Sequence, residues 1–222
     1  MTEVSGMPQW PRTALTLEIA SKKWTVALAL AMLSSLTANL WAQATKIDLR
    51  TKAGVEKVKG EWRYHDVKII EVEGKGPPPE SKPVKTYSFE PRAEKPEFDD
   101  SKWEVLDPTT LGKRRANGQL CFNWYRIKLT MPPETEGKSV HFVTTVDDYG
   151  EVWVDGKLNY KAGTTGASVV AGFNVPNRVE LKDVKPGKTY QIAVFGINGP
   201  ISATPGNWIF LGDTFLEITD KK

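Results

Sequence analysis

Pairs of acidic residues are the first feature of this sequence that bears on chemistry, because cleavage of a glycosidic bond needs two facing carboxyl groups. Two pairs, Asp99-Asp100 and Asp147-Asp148, are adjacent in the sequence. Neighbouring residues of a strand point to opposite faces, so neither pair faces one substrate. Glu151 and Asp155 share a strand face, but strand geometry separates them by about 13 Å. The spacing therefore predicts no catalytic acid pair.

Histidine and cysteine are too few to form a common metal or nucleophile site. The histidines are His65 and His141, and the single thiol is Cys121. No H-E-x-x-H motif, cysteine pair, G-x-S-x-G elbow or phosphate-binding glycine loop occurs. Ser139 shares a strand face with His141, but the sequence supplies no third partner for a triad. Cys121 lies in the apolar run LCFNWYRI, so we expect it to be buried as a small hydrophobic residue.

Aromatic rings and side-chain amides offer a different chemistry, the recognition of a sugar. The C–H faces of a sugar pack on aromatic rings, while amides hydrogen-bond its hydroxyl groups. Trp124 and Trp208 lie at the ends of predicted strands, and Asn174 and Asn198 lie near predicted loops. We predict that these four residues form a shallow carbohydrate-binding site. The alternative is that the tryptophans belong to the core and the asparagines stabilise turns.

Lys113, Arg114 and Arg115 form a tight basic cluster in the turn-rich stretch 111–119, which we expect to be a loop. An acidic polysaccharide would suit this cluster, whereas a solvated loop would explain it without a ligand. The whole chain has 30 Lys and Arg against 27 Asp and Glu, a net charge of +3. A charge so near balance gives no electrostatic case for binding nucleic acid or an anionic membrane surface.

Short strands joined by frequent turns must position these side chains. Between residues 123 and 157, large apolar residues alternate with polar ones until the Asp155-Gly156 turn. This alternation is typical of antiparallel strands with one exposed face. The sequence therefore predicts one all-β domain at 45–222, an antiparallel β-sandwich of jelly-roll type. The predicted strands are Trp62–Ile70, Val84–Phe89, Trp103–Leu106, Cys121–Met131, Ser139–Val146, Tyr149–Val154, Val169–Phe173, Arg178–Leu181, Tyr190–Ile197 and Trp208–Ile218.

The first 44 residues have the pattern of a secretion signal. Lys22 and Lys23 precede the apolar run Thr25–Leu36, and residues 42–44 (AQA) form a small-x-small cleavage pattern. We predict that residues 1–44 are a leader removed on export, which leaves a periplasmic or extracellular protein without a membrane partner. An uncleaved anchor is the alternative, since Trp24–Ala42 has no charge and is just long enough to span a bilayer.

The strand Trp124-Tyr125-Arg126 and the hairpin Asp148–Gly156 (DYGEVWVDG) resemble the galactose-binding-like jelly roll at the front of family 2 glycoside hydrolases. In that pattern W-Y-R precedes D-x-x-x-V-W-V-N-G, and Asp155 stands here where Asn is usual. Residues 172–179 (GFNVPNRV) and 193–202 (AVFGINGPIS) resemble a sandwich module ahead of some exported SMP-30/gluconolactonase-type proteins. Both resemblances imply a module that accompanies an enzyme, and no room remains here for the propeller that carries lactonase chemistry.

The resemblance to such sandwiches also implies a structural calcium ion, which they often hold near the chain ends. We predict Asp48, Asp213 and Glu217 as its ligands, because calcium binds several hard oxygen atoms. The alternative is that these residues are ordinary surface acids. No other cofactor is predicted.

The sequence therefore predicts an exported, non-catalytic β-sandwich that binds carbohydrate or serves as an accessory to a companion enzyme domain. Two alternatives stay open. A small exported hydrolase or lactonase-associated protein, with unrecognised catalytic residues, would have a deep pocket lined by convergent polar groups. A structural module of an envelope complex would have a contiguous apolar patch on one sheet face.

Overall fold

Antiparallel strands account for most of the computed structural model, which describes residues 44–79, 81–118, 120–158, 174–199 and 206–221. They form a sheet of four strands, a sheet of six and two smaller pairs. The prediction of an all-β antiparallel sandwich is confirmed. The predicted leader lies outside the described residues except for Ala44, and so does the predicted strand Val169–Phe173. No helix among the described residues is long and apolar enough to cross a membrane.

The smaller sheet has four antiparallel strands. They are β1 (Thr45–Asp48), β8 (Lys138–Val146), β11 (Asn177–Leu181) and β14 (Leu211–Asp220), in the order β1-β14-β8-β11. Their register aligns Ile47, Leu216, Phe142 and Val179 in one row. All four side chains are buried in the main hydrophobic cluster. This row is therefore one layer of the core between the two sheets.

The larger sheet has six antiparallel strands. They are β2 (Trp62–Asp66), β5 (Glu104–Leu106), β7 (Cys121–Thr130), β9 (Tyr149–Val154), β10 (Lys157–Leu158) and β12 (Thr189–Asn198), in the order β10-β9-β12-β7-β2-β5. The central pair, β7 and β12, stays in register from Cys121 to Thr130. Tyr125 and Ile127 of β7 pack into the main cluster between the sheets. Trp124 faces the other way, as alternation along a strand requires.

The outer face of the larger sheet is covered by the segment 91–103. Ala93 and Trp103 of this segment form a second hydrophobic cluster with Trp124 and Phe195 of the sheet. We call it the outer cluster. The central strands of this sheet are therefore buried on both faces, which explains why β7 is almost entirely buried rather than alternately exposed.

Arg126, the arginine of the W-Y-R strand, holds this covering segment in place. Its side chain is 1% exposed, and its Nε donates to Asp100 Oδ2 at 2.7 Å. Its Nη1 donates to the carbonyl groups of Ala93 and Lys95, the second at 3.1 Å. Its Nη2 donates to the carbonyl of Phe98 at 3.4 Å. The motif that carries the family resemblance thus has a structural role.

The predicted first strand, Trp62–Ile70, is wrong as a single element. The chain leaves β2 after Asp66, and the N–H of Val67 donates to the carbonyl of Phe122 at 2.9 Å. A separate two-stranded ribbon follows, made of β3 (Lys68–Lys75) and β4 (Pro83–Glu90). Most of its residues are exposed.

Two further differences concern the basic cluster and the last predicted strand. Residues Arg115–Gly118 form β6, so the predicted loop 111–119 contains a strand. The predicted strand Trp208–Ile218 is divided into β13 (Asn207–Ile209), which pairs with β6, and β14. The helices of the described ranges are short: α1 at Lys52–Lys57 and 3-10 turns at Pro108–Thr110 and Pro133–Thr135.

Candidate functional site

A cleft of about 530 Å³ opens where β2 ends and β7 begins. We call it the end cleft. Its lining combines charged, aromatic and apolar side chains from four stretches of the chain. These residues are Asp66, Val67, Arg114, Arg115, Leu120, Cys121, Phe122 and Trp208.

Three strand pairings bring these residues together. Asp66, the last residue of β2, lies opposite Asn123 of β7. Cys121, the first residue of β7, lies opposite Asn198 of β12. The pairing of β6 with β13 places Arg115 opposite Ile209, the residue after Trp208. The small β6–β13 sheet is therefore the element that carries the basic cluster to the exposed tryptophan.

Trp208 and Arg114 form the rim of the end cleft. The Trp208 side chain is 40% exposed, the highest exposure among the described tryptophans. The Arg114 guanidinium lies 4.8 Å from the centre of the Trp208 ring, which is within the range of a cation–π contact. Asn198 Nδ2 donates to the Trp208 backbone carbonyl, so the amide anchors the backbone that carries the ring.

Tyr64 and Asp66 form a polar pair beneath the rim. Tyr64 Oη donates to Asp66 Oδ1 at 2.5 Å, and Asn123 Nδ2 donates to Tyr64 Oη at 3.4 Å. Burial and the bond to Asp66 raise the pKa of the Tyr64 hydroxyl, which therefore stays protonated at neutral pH. The hydroxyl fixes the Asp66 carboxylate at the cleft, where it can accept hydrogen bonds from a ligand.

Arg115 is partly neutralised within the protein. Its Nη1 donates to both carboxylate oxygens of Glu104, at 2.9 and 3.0 Å. Its guanidinium also lies 4.9 Å from the Tyr64 ring centre. Its Nε is buried and has no hydrogen-bond partner among the described residues. The end cleft thus presents acceptor and donor groups together, with opposite charges close to one another.

Cys121 lies in the end cleft as a buried, neutral thiol. Burial, assisted by the carboxylates of Asp148, Asp66 and Asp147, raises its pKa to about 11. A thiol with so high a pKa is a poor nucleophile at neutral pH. The expectation that Cys121 is buried is confirmed.

The four residues predicted to bind sugar do not form one site. Trp124 is 1% exposed, packs 4.7 Å from Phe195 between ring centres, and donates from Nε1 to the Pro91 carbonyl at 2.9 Å. It is a core residue of the outer cluster, which corrects the surface position predicted for it. Asn174 occupies a turn, with φ of 54° and its N–H donating to the Asp148 carbonyl. Only Trp208 and Asn198 lie together, at the rim.

The site residues that sequence reasoning missed are Asp66 and its donor Tyr64. Both were placed within a longer predicted strand, where nothing in their spacing set them apart. The basic cluster was recognised, but not as part of a strand beside Trp208. A strand break at Val67 was the signal needed to find Asp66, and the β-branched residues Val67, Ile69 and Ile70 hide it.

The three acids predicted to bind calcium do not fit a calcium site. Arg50 lies between two of them, with Nε 3.3 Å from Asp48 Oδ1 and Nη1 3.0 Å from Asp213 Oδ1. The third, Glu217, accepts from Nε and Nη2 of Arg178 at 2.8 and 2.6 Å. All three carboxylates are thus already paired with guanidinium groups. Nowhere in the described residues do three or more His, Cys, Asp or Glu side chains gather around a potential metal site.

A different pair of acids lies on the outer face of the larger sheet, near the second cluster. Burial raises the pKa of Glu151; a hydrogen bond from Trp153 and the charge of Arg92 oppose this increase, and the charge of Glu94 adds the smallest contribution to it. Trp153 Nε1 donates to Glu151 Oε2 at 3.2 Å, while Glu94 Oε2 is buried without a hydrogen-bond partner in the described residues. The pair comes from segment 91–103 and β9, so its spacing in the sequence gave no sign of it.

Comparisons with known proteins found similar solved structures but no matching family or curated sequence. The chain is similar to a calcium-binding mutant of Bacteroides uniformis β-glucuronidase 2, at 18% identity and a TM-score of 0.49, over 80% of this chain and 18% of that chain. It is also similar to a glycosyl hydrolase family 2 member from Bacteroides cellulosilyticus, at 15% identity and a TM-score of 0.48, over 79% of this chain and 20% of that chain.

A Ruminococcus gnavus β-glucuronidase shares 16% identity at a TM-score of 0.35, over 70% of this chain and 28% of that chain. The chain therefore spans between 18% and 28% of the length of these solved structures. The antiparallel sandwich of the structure agrees with the galactose-binding-like module recognised from the Asp148–Gly156 hairpin.

Proposed function

We propose that this β-sandwich, which resembles a module of family 2 glycoside hydrolases, is an exported accessory domain that binds carbohydrate in the end cleft and performs no catalysis. The observation that carries the proposal is the meeting of Trp208, Arg114 and Asp66 around one cleft. The cleft volume of about 530 Å³ falls within the range of roughly 300–1,000 Å³ that is common for small-molecule sites.

Each of these three side chains supplies a different part of sugar recognition. The exposed Trp208 ring offers an apolar surface for the C–H face of a sugar. Asp66 accepts hydrogen bonds from hydroxyl groups, and Arg114 donates them. Asp66 is held by Tyr64, and Trp208 is held by Asn198, so both groups are positioned before a ligand arrives.

The charges around the end cleft favour a neutral sugar over an acidic one. Glu104 pairs with Arg115, and the same cleft is lined by one further carboxylate, Asp66, and one further guanidinium, Arg114. An acidic polysaccharide would gain little from a site whose positive charges are already balanced. We therefore propose neutral hexose or pentose units as the ligand.

Export and a companion enzyme domain complete the proposal. Support for export comes from the positive, apolar and small-residue segments of residues 1–44. Support for a companion domain comes from the two sequence resemblances, which both imply a module that accompanies an enzyme. Neither nucleic acid nor a membrane is a proposed partner.

The test is direct binding of glycans to the full chain. Affinity gel electrophoresis with neutral and acidic polysaccharides, followed by calorimetry with methyl glycosides, identifies the sugar. We expect Trp208→Ala and Arg114→Ala each to weaken binding about tenfold or more. Arg178→Ala, which removes an exposed arginine of the smaller sheet, is the matched control and should leave affinity unchanged. Absence of binding, or equal losses in all three variants, would refute the proposal.

A hydrolase is the second candidate, and the Glu94–Glu151 pair is the observation that favours it. A carboxyl group with a raised pKa beside a second acid is the arrangement that a glycosidase uses as its general acid. If the chain is a hydrolase, it hydrolyses 4-nitrophenyl glycosides, and both Glu151→Gln and Glu94→Gln abolish this activity. Turnover that persists in either variant, or none in the unmodified chain, would eliminate it.

A further inference from the structure

An apolar groove adjoins the end cleft and carries an inference about the ligand. The groove has a volume of about 400 Å³ and is bounded by the β3–β4 ribbon and the start of β7. It shares two lining residues, Leu120 and Phe122, with the end cleft. No lining residue is charged. The lining consists of Ile69, Tyr87, Ser88, Phe89, Leu120 and Phe122.

The strand register of the ribbon places three of its groove-lining side chains on one face. Ile69 pairs with Phe89, and Glu71 pairs with Tyr87, so Ile69, Phe89 and Tyr87 share one face of the ribbon. Tyr87 is 74% exposed, and Ile69 and Leu120 are 40% and 39% exposed. These side chains leave apolar surface in contact with water, and a ligand that covered it would gain hydrophobic free energy.

Two of the aromatic residues that line the groove stack on the same buried ring, Phe195. The Phe122 ring stacks on Phe195 with centres 5.6 Å apart and an angle of 6°. The Phe89 ring stacks on the same Phe195, with centres 4.6 Å apart and an angle of 25°. An aromatic substituent in the groove would meet the rings of Tyr87, Phe89 and Phe122 and gain ring–ring contacts that an alkyl chain lacks.

We propose that the ligand is a saccharide with a neutral aromatic substituent, and this rests on the proposed carbohydrate binding. The sugar lies in the end cleft against Trp208, Arg114 and Asp66. The substituent lies in the apolar groove between Tyr87 and Phe122. Leu120 and Phe122 form the boundary that both parts of the ligand contact, since they line both spaces.

The test compares phenyl, octyl and methyl β-glycosides of glucose, galactose and xylose by calorimetry on the full chain. We expect the phenyl glycoside of the sugar that binds to have an affinity at least tenfold above the methyl glycoside. We expect the octyl glycoside to gain less. Tyr87→Ala and Ile69→Ser should each reduce the phenyl advantage and leave methyl glycoside affinity unchanged. Val105→Ala, at an exposed apolar residue of β5, is the control.

The possible outcomes separate this inference from the proposal on which it rests. Methyl glycoside binding without a phenyl advantage would overturn the inference and leave carbohydrate binding intact. An octyl gain equal to or above the phenyl gain would overturn the choice of an aromatic group. No binding of any glycoside would overturn both. Tyr87 is exposed, so loss of folding in Tyr87→Ala is not expected, and thermal unfolding of the variant checks this.

Discussion

Arg126 shows how much of this fold depends on single side chains. One guanidinium binds Asp100 and three carbonyl groups of the segment that covers the larger sheet. Its planar geometry supplies several directed donors at once, which a lysine ammonium on a flexible stem does not. The covering segment, and with it the outer cluster, therefore depends on an arginine at this position.

We predict that Arg126→Lys lowers the free energy of unfolding by about 2–4 kcal/mol, because it leaves buried acceptors without donors. Chemical denaturation followed by tryptophan fluorescence measures the loss. Arg178→Lys is the matched control, since Arg178 pairs with Glu217 at the surface. Arg178→Lys should lower the free energy of unfolding by less than about 1 kcal/mol. Equal losses in the two variants would contradict the role assigned to Arg126.

Glu151 gives a prediction for the dependence of stability on pH. Burial raises its pKa in the folded state, so the folded protein holds this proton more tightly than the unfolded chain. That stabilisation is present at low pH and is lost as the pH rises through the folded pKa. At neutral pH the charged form is a net cost, which Glu151→Gln removes while keeping an acceptor for Trp153.

We therefore expect Glu151→Gln to raise the melting temperature at pH 7 by roughly 1–3 °C. The gain should shrink as the pH is lowered towards 4. Glu180→Gln is the control, and it should lower the melting temperature at pH 7 rather than raise it, because a hydrogen bond from Lys182 lowers the pKa of Glu180. Scanning calorimetry of both variants across this pH range measures the effect. A gain in melting temperature that grows at low pH would show that folding does not raise the pKa of Glu151.

At the residue scale, the sequence did not separate side chains that could bind a ligand from side chains that pack in the core. Trp124 and Trp208 both stand on strands with polar neighbours, yet one is buried and one is exposed. What buries Trp124 is the segment 91–103, which crosses the sheet from a distant part of the sequence. Periodicity describes which side of a strand a residue faces, and it carries no information about what covers that side.

At the scale of elements, runs of apolar and aromatic residues located strands but not every strand end. The predicted strands at β7, β8 and β9 agree with the structure, although β7 is almost entirely buried rather than alternately exposed. The break between β2 and β3 was missed because Val67, Ile69 and Ile70 are β-branched and favour a continued strand. β6 was missed because its residues have turn propensity, and its strand form depends on pairing with β13.

A pair of facing glycines shows how neighbouring strands make room for polar side chains. Gly196 of β12 pairs with Gly150 of β9 on one side and with Asn123 of β7 on the other. A Cβ atom on Gly196 would lie 2.5 Å from Asn123 Oδ1 and 2.7 Å from a methyl carbon of Ile209. The absence of a side chain here is what allows Asn123 to reach towards Tyr64 beneath the end cleft.

We predict that Gly196→Ala lowers the free energy of unfolding by about 1–3 kcal/mol through overpacking. Because Asn123 must move, we also expect weaker glycan binding in this variant. Gly212→Ala is the control, since its added Cβ would meet Thr145 at an ordinary contact distance of 3.4 Å. Urea denaturation of both variants measures the difference. A Gly196→Ala protein as stable as the control would contradict this account of the packing.

At the scale of the whole molecule, the two sheets present different outer surfaces. The larger sheet is covered, whereas the smaller sheet carries a register row of Lys46, Glu217, His141 and Glu180 on its outer side. A structural envelope module was expected to have an apolar patch on a sheet face. The described outer face of the smaller sheet offers charged groups instead, and the exposed apolar surface lies beside the end cleft.

The strand lengths at the sheet margins have a consequence for self-association. Both main sheets end on short strands, with three residues in β5, two in β10, four in β1 and five in β11. Each strand of the ribbon is eight residues long. Long unpaired margins are templates for adding another chain, and charged side chains oppose that addition. Fibril growth in concentrated samples should therefore begin at the ribbon. The lysine and glutamate side chains of the ribbon should slow this growth.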